Sequence, residues 1–233
     1  MIILRKSCVA ISFILMPAFV LTVVNADTLP TLAVLYFENN SLMAADSYKG
    51  LEKGLCEIMI TQLSKIGGIE VVERERLEQV FEEIALGQSG AIDESSAPKV
   101  GKILGAQMLV LGSFMKDRGN KIRIDTRLVR VETGEILTAE EATGTADNIF
   151  SLTKKLTFKI AHLLDIDISS EEKKKLKKRR KVSFESLVAY SQALDAFDRG
   201  DMNTANQQVS KALDNEKDFH KAQELKQQIE DNQ

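Results

Sequence analysis

The chain has 233 residues, with 31 Lys and Arg against 34 Asp and Glu, a net charge of −3 and no tryptophan. That mild acidity, with few aromatics, gives no electrostatic footprint for nucleic acid and no aromatic platform for stacking bases or sugars. Two cysteines, Cys8 and Cys56, are too few for a disulfide scaffold.

Residues 1–26 have the plan of a cleavable signal peptide. Arg5 and Lys6 supply the charge, Val9 to Val24 the apolar run, and Val24-Asn25-Ala26 the small-residue cleavage site. The apolar run falls short of the roughly 20 residues of a membrane span, and Pro17 interrupts it. Cys8 opens that run, whereas a lipid-bearing cysteine would close it. The expectation is an unlipidated mature chain that starts at Asp27 and works in the periplasm. Cys56 is then its one cysteine, on an amphipathic helix as a small buried apolar residue. No nucleic-acid partner is expected.

Leu32 to Phe37 is an unbroken apolar run, suited to a strand buried on both faces. After a polar loop, Tyr48 to Ile66 puts Leu51, Leu55, Ile58, Met59 and Leu63 on one helical face, and Gly67-Gly68 ends that helix. Ile69 to Val72 is a short strand. Arg74 to Leu86 is a helix with its stripe at Leu77, Val80, Phe81 and Ile84. A glycine and serine loop at 87–95 precedes a helix through Lys99 to Leu104, which Gly105 stops. Met108 to Phe114 is a second buried strand.

Next comes alternation. Ile122, Ile124 and Leu128 interleave with Arg123, Asp125 and Arg127, the period-two mark of a half-exposed strand. Val129 and Val131 switch parity, which predicts a bulge near Leu128. Thr133-Gly134 turns the chain into a return strand over Ile136 to Thr145. Asp147 is placed to cap a helix whose stripe is Ile149, Leu152, Leu156, Ile160 and Leu163. The fold class is α/β: a mixed sheet flanked by helices over residues 27–165, with an antiparallel meander at one side.

Residues 166–182 form a basic linker. Glu171 to Lys181 holds eight basic residues and two acidic ones, as a solvated helix or a patch for anionic lipid or an acidic partner. Residues 183–233 form a small all-α module that resembles one tetratricopeptide helix pair with a capping helix. Tyr190, Ala193, Leu194 and Phe197 lie on its first helix, Ala205, Val209, Ala212 and Leu213 on its second, with a turn at Gly200-Asp201-Met202. The proline usual after the second helix is missing. Tyr190, Phe197, Ala205 and Ala212 are the candidate protein-interaction residues. A lone repeat must bury its faces elsewhere, so the module should pack on the α/β domain or on another subunit.

From Leu32 to about Leu164 the chain resembles the CsgG family, the curli-secretion channel and its periplasmic relatives. The resemblance rests on ordered local patterns: Leu32 to Asn39 as the opening strand and turn, Val71-Val72-Glu73-Arg74 with Leu77 and Glu83, Lys102 to Ala106 followed by Leu109 to Gly112, and Leu128 to Glu135 as a hairpin. It implies a periplasmic, oligomeric α/β domain that serves outer-membrane transport or envelope assembly, with no catalytic residues. Two departures stand out: no lipidated cysteine, and no insertion of the size of the channel's membrane hairpins.

The chemistry-bearing residues do not converge. His162 and His220 sit in different modules without ligand spacing to cysteines or carboxylates, so no metal site is expected. Gly87-Gln88-Ser89-Gly90 lacks the spacing of a nucleophile elbow. Glu38-Asn39-Asn40 stands where a phosphate-binding glycine loop would follow the first strand, and Asn39 and Asn40 suit turn hydrogen bonds. Glu73 and Arg74 suit a buried ion pair or subunit contact, and Glu73 equally a helix-starting carboxylate. The expectation is a non-enzymatic adaptor with no cofactor, acting with envelope protein partners and with copies of itself. A pore-forming outer-membrane subunit is the alternative, and an enzyme or nucleotide-binding domain a third reading.

Overall fold

The computed structural model describes residues 29–42, 45–83, 96–177 and 182–232. The expected leader, the 87–95 loop, Ile84 and the end of the basic run lie outside the described residues. Five strands make one sheet: β1 (Thr31–Asn39), β2 (Glu70–Val71), β3 (Met108–Lys116), β4 (Lys121–Arg130) and β5 (Ile136–Thr145), in the order β2-β1-β3-β4-β5. β1 runs parallel to β2 and β3, and β3, β4 and β5 form an antiparallel meander. Leu32 to Phe37 are all buried, as the unbroken apolar run requires.

The strand alternation sorts residues to the two faces. Val110, Phe114, Ile122, Ile124 and Leu128 are buried on the face that α4 (Ile149–Leu163) and α1 (Leu51–Leu63) cover. Gly112 on this face leaves room for the Phe37 ring, which a Cβ would meet at 2.3 Å. On the opposite face α3 (Ala97–Leu104) lies against Leu109 and Val131, while Tyr36 meets α2 (Arg74–Glu83) through an edge-on contact with Phe81. Beyond these helices Arg123, Asp125 and Glu141 share the exposed side of β4 and β5, paired with one another. The predicted bulge falls between Leu128 and Val129, where β5 carries the extra residue, Leu137.

Several boundaries differ from the sequence reading. Residues Ala45–Tyr48 form a 3-10 turn, so α1 starts at Leu51. It ends on Ser64 in right-handed conformation, and only Gly68 further on takes a positive φ, of 82°. The glycines therefore turn the chain into β2 and do not cap α1. Asp147 does not cap α4: it sits in the 3-10 turn Ala146–Asn148, and its carboxylate accepts from Asn120 Nδ2 at 2.6 Å. Leu163 is 40 % exposed and drops out of the α4 stripe, because α4 ends there and the sheet no longer lies beneath it.

The described part of the basic segment is folded onto the domain. α5 (Ser170–Lys177) starts with a capping box: Ser169 Oγ accepts from Glu172 N, and Glu172 accepts from Ser169 N. Leu176 is buried at its far end. The chain then enters α6 (Phe184–Asp198), α7 (Met202–Asn215) and α8 (His220–Asp231). Ser183 and Asp201 cap α6 and α7 through their side chains, and Gly200 makes the turn at φ 74°. α6 crosses α1 closely, since Cβ atoms on Gly50 and Gly54 would sit 2.8 and 1.8 Å from atoms of Gln192 and Ser191. One apolar core runs through the sheet, its helices and α6–α8. No helix among the described residues is long and apolar enough to cross a membrane.

Candidate interaction site

α6 ends against α1 and α2 in a seam of buried charge. Asp198, the last residue of α6, accepts with one carboxylate oxygen from two cations: Lys53 Nζ at 2.8 Å and Arg74 Nη1 at 2.9 Å. Lys53 also reaches Glu78 at 3.1 Å and Asp195 at 3.5 Å, and its ammonium lies 5.3 Å from the centre of the Tyr36 ring. The Tyr36 hydroxyl donates to Glu78. Arg74 is 4 % exposed; among the described residues its Nε has no hydrogen-bond partner, and it lies 3.7 Å from Glu57. The other oxygen of Glu57 accepts from Lys221 of α8 at 2.9 Å. The seam thus ties β1, α1 and α2 to the end of α6 and the start of α8.

Burial works against the charged forms here. It raises the Asp198 carboxyl above the ordinary aspartate range despite the pull of Arg74 and Lys53. It is also the largest influence on the Lys53 ammonium and the Arg74 guanidinium, which it opposes, but Asp198 together with Glu78 for Lys53, and with Tyr36 and Glu75 for Arg74, outweighs it and holds both more basic than usual. At the rim, burial followed by the repulsion of Asp195 pushes Glu52 up to about 7, against the attraction of Lys49. Such an arrangement fixes relative position.

Beside the seam a cleft opens over α1. Ile58, Thr61 and Gln62 form its floor. Phe150, Ser151 and Lys154 of α4 form one wall, Leu176 of α5 closes over it, and Tyr190 and Phe219 stand opposite. Gln62 is held in place by Thr153 and Thr157, at 2.9 and 3.0 Å. Among the described residues no group of three or more His, Cys, Asp and Glu side chains is arranged to hold a metal.

The four candidate interaction residues do not come together as a surface. Ala205 and Ala212 are fully buried where α7 packs, and Phe197 is half-buried against the core. Tyr190 is 3 % exposed, tilted on Phe219 with ring centres 5.0 Å apart, and is the one of the four that borders the cleft. Small and aromatic residues at these positions are used to pair the helices, so their side chains are not presented to a partner. His162 is exposed, and His220 is exposed beside Glu224. Asn39 makes turn hydrogen bonds, with Ala45 O and Ser41 N. Arg74 takes the buried ion-pair role, to Asp198, while Glu73 is exposed just before α2. The sequence reading missed Lys53, Asp198 and Lys221. The one local signal was Lys53 and Glu57, charged residues in turns of α1 that are otherwise buried.

Sheet, flanking helices and seam define a mixed α/β domain with a helical extension locked onto its first helix. The chain belongs to the CsgG family, described as the curli production assembly/transport component CsgG, whose model matches residues 24–116 and 113–223. The match reaches past the sheet into α6 and α7.

Among individual proteins, the chain is 27 % identical over 192 residues to "Putative adenylate cyclase 3" of Rhizobium meliloti (strain 1021). The match covers 79 % of this chain and 30 % of that protein, so the chain spans less than a third of the relative's length. Among solved structures, the LpoB C-terminal domain from Salmonella enterica is similar at 20 % identity and a TM-score of 0.39, over 50 % of this chain and 83 % of that one. Lipoprotein GNA1162 from Neisseria meningitidis is similar at 16 % identity and a TM-score of 0.42, over 57 % of this chain and 99 % of that one.

Proposed function

We propose that this protein is a non-enzymatic adaptor of bacterial envelope assembly or outer-membrane secretion, exported to the periplasm, self-associating, and working with protein partners of the envelope. One observation carries the reading: the family match spans both the α/β domain and the helices docked on it. The seam supports it, since its charges are spent on holding two units together. The cyclase relative bears less on the activity, because most of that protein lies outside the match. The pore alternative has weaker support: the apolar residues of β4, Ile122, Ile124 and Leu128, are already used against the domain's own core.

The test is expression of the full chain, leader included, in a Gram-negative host. Release by osmotic shock with Asp27 at the N-terminus, and an oligomer in native mass spectrometry, are the expected results. Cytoplasmic retention with Met1 intact overturns the export reading, and monomer alone at micromolar concentration overturns self-association. Cyclic AMP made from ATP by the purified chain overturns the non-enzymatic one.

A further inference from the structure

β5 is the last strand of the meander, ten residues long, and among the described residues no strand pairs with its outer side. Its ladder with β4 shows which backbone groups are left over. Ala146 N donates to Asn120 O at 2.8 Å, one step beyond the pair of Lys121 and Thr145. Antiparallel pairs alternate between those that exchange hydrogen bonds with the neighbour and those that direct them away. Counting back from Ala146, Gly144, Ala142 and Glu140 bond to β4, whereas Thr145, Thr143, Glu141 and Ala139 turn N–H and C=O outward. All four of these are exposed. Such a row is a template for another strand. The two glutamates that would guard it are already neutralised, Glu141 by Arg123 at 2.8 Å and Glu140 by Lys159.

We propose that this row takes the same row of a second copy, two β5 strands pairing antiparallel about a two-fold axis at Ala142. The inference rests on the self-association put forward above and gives it a surface. Outward groups must meet outward groups, which limits the register. Centred on Glu141, the pairing sets Glu141 against its own counterpart, like charges directly opposite. Centred on Thr143, it carries Ala139 past the end of β5. Centred on Ala142, Ala139 meets Thr145 and Glu141 meets Thr143, and every outward residue of both copies is used, about eight hydrogen bonds in all. Glu140 then falls beside Gly144 of the second copy, where no side chain crowds it. α4 supplies the charge complement. Its side toward β5 is marked by Leu152, which a Cβ on Gly144 would meet at 3.0 Å, and by Lys159 on Glu140. Lys155 lies between them on the same helical row, exposed and in no ion pair among the described residues. Less than a turn from Leu152, it comes within reach of Glu140 of the second copy, and the two Lys155 side chains extend away from each other. Neighbouring strands are about 4.8 Å apart. The α4 helices, each seated over β4 and β5, therefore lie about 10 Å apart, an ordinary helix-contact distance.

The experiment follows association of the full mature chain by sedimentation across micromolar concentrations. A dimer, or a larger oligomer with an even number of copies, is expected. Thr143→Pro removes an outward N–H and no bond to β4. It should weaken the dimer tenfold or more while the circular-dichroism melt is kept. Chains with Glu141→Cys and chains with Thr143→Cys, mixed and oxidised, should cross-link to each other in preference to their own kind, a readout that stands whether or not the proline variant folds. Amide exchange at Ala139, Glu141, Thr143 and Thr145 should be slow in the dimer and fast on dilution to monomer. An odd-numbered oligomer, an oligomer unmoved by Thr143→Pro with its fold intact, or cross-linking within each cysteine variant overturns this interface and leaves self-association standing. Slow exchange at those amides in the monomer, the mark of an edge covered by the chain itself, also overturns it. Monomer alone overturns both, and leaves the edge to a strand of another protein.

Discussion

Asp198 has one carboxylate oxygen for two buried cations, and that geometry sets what its loss should do. Breaking a buried pair by removing one partner leaves an uncompensated charge, at a typical cost of about 3–5 kcal/mol. Glu78 and Asp195 still face Lys53, so Asp198→Asn should fall near the lower end, measured by urea denaturation. A change under about 1 kcal/mol would mean that the seam behaves as exposed ion pairs do. Glu52 gives the opposite sign. Its carboxyl is raised in the folded protein from 4.5 to about 7, so the folded state binds its proton more tightly than the unfolded chain. Stability from this group is full below about pH 4.5 and is lost as pH rises toward 7. Glu52→Gln should remove that decline, and melting temperatures across the same range would show it. Of this only the buried ion-pair role of Arg74 was legible in the sequence, and not its partner. Lys53 and Asp198 are 145 residues apart, and no local pattern announces a partner at that distance. Asn39 was legible because its hydrogen bonds reach only to Ser41 and Ala45.

At the scale of elements, what could be read depended on whether one local cause decided the outcome. The β1 run, the helical stripes and the β4 alternation each follow from burial at a fixed period, and all three formed. Where Gly105 caps α3, the helix end followed the local signal too; other ends did not, because tertiary contacts set them: α1 gives up Tyr48, whose ring lies 5.9 Å from Phe184 of α6. The basic segment forms a helix with exposed lysines, as its composition suggested, but what fixes that helix was hidden. Its lysines conceal Ser169 and Glu172, and the Glu172 carboxylate, by accepting from Ser169 and from Gly67 N, both starts α5 and pins it to the end of α1. Those hydrogen bonds, from Ser169 first and then Gly67, hold its pKa down at about 2. Its contribution is therefore present above about pH 4.5 and disappears as pH falls toward 2. The crossing of α1 and α6 offers a sharper test. A Cβ at Gly54 would lie 1.8 Å from Ser191 Oγ and 2.9 Å from its Cβ. Gly54→Ala should overpack the contact at about 1–3 kcal/mol, outweighing the few tenths to about 1 kcal/mol that alanine gains over glycine inside a helix. Ser191→Gly in the same chain should restore most of the loss. If thermal melts show no recovery in the double variant, the two helices do not meet there.

Across the whole molecule, the question is whether α6–α8 form a separable module or part of a single folding unit. The sequence suggested a module, since composition changes sharply at the basic run. Of the two packings expected for it, on the α/β domain or on another subunit, the first is the one seen. Phe184, Leu187, Ala189, Tyr190 and Leu194 are buried in a core continuous with the sheet domain. Lys53, Glu57 and Arg74 find partners on α6 and α8. Truncation after residue 182 would therefore expose the apolar side of α1 and leave Lys53 and Arg74 without Asp198. Neither unit should keep its stability alone, and the full chain should unfold in one cooperative step, with calorimetric and van't Hoff enthalpies equal. The truncated chain should melt well below it and bind 1-anilinonaphthalene-8-sulfonate non-saturably through the uncovered face. Two resolved transitions in the full chain, with the lower one abolished by truncation and the upper one unmoved, would show that α6–α8 are an independent module and that the seam is a contact between finished parts.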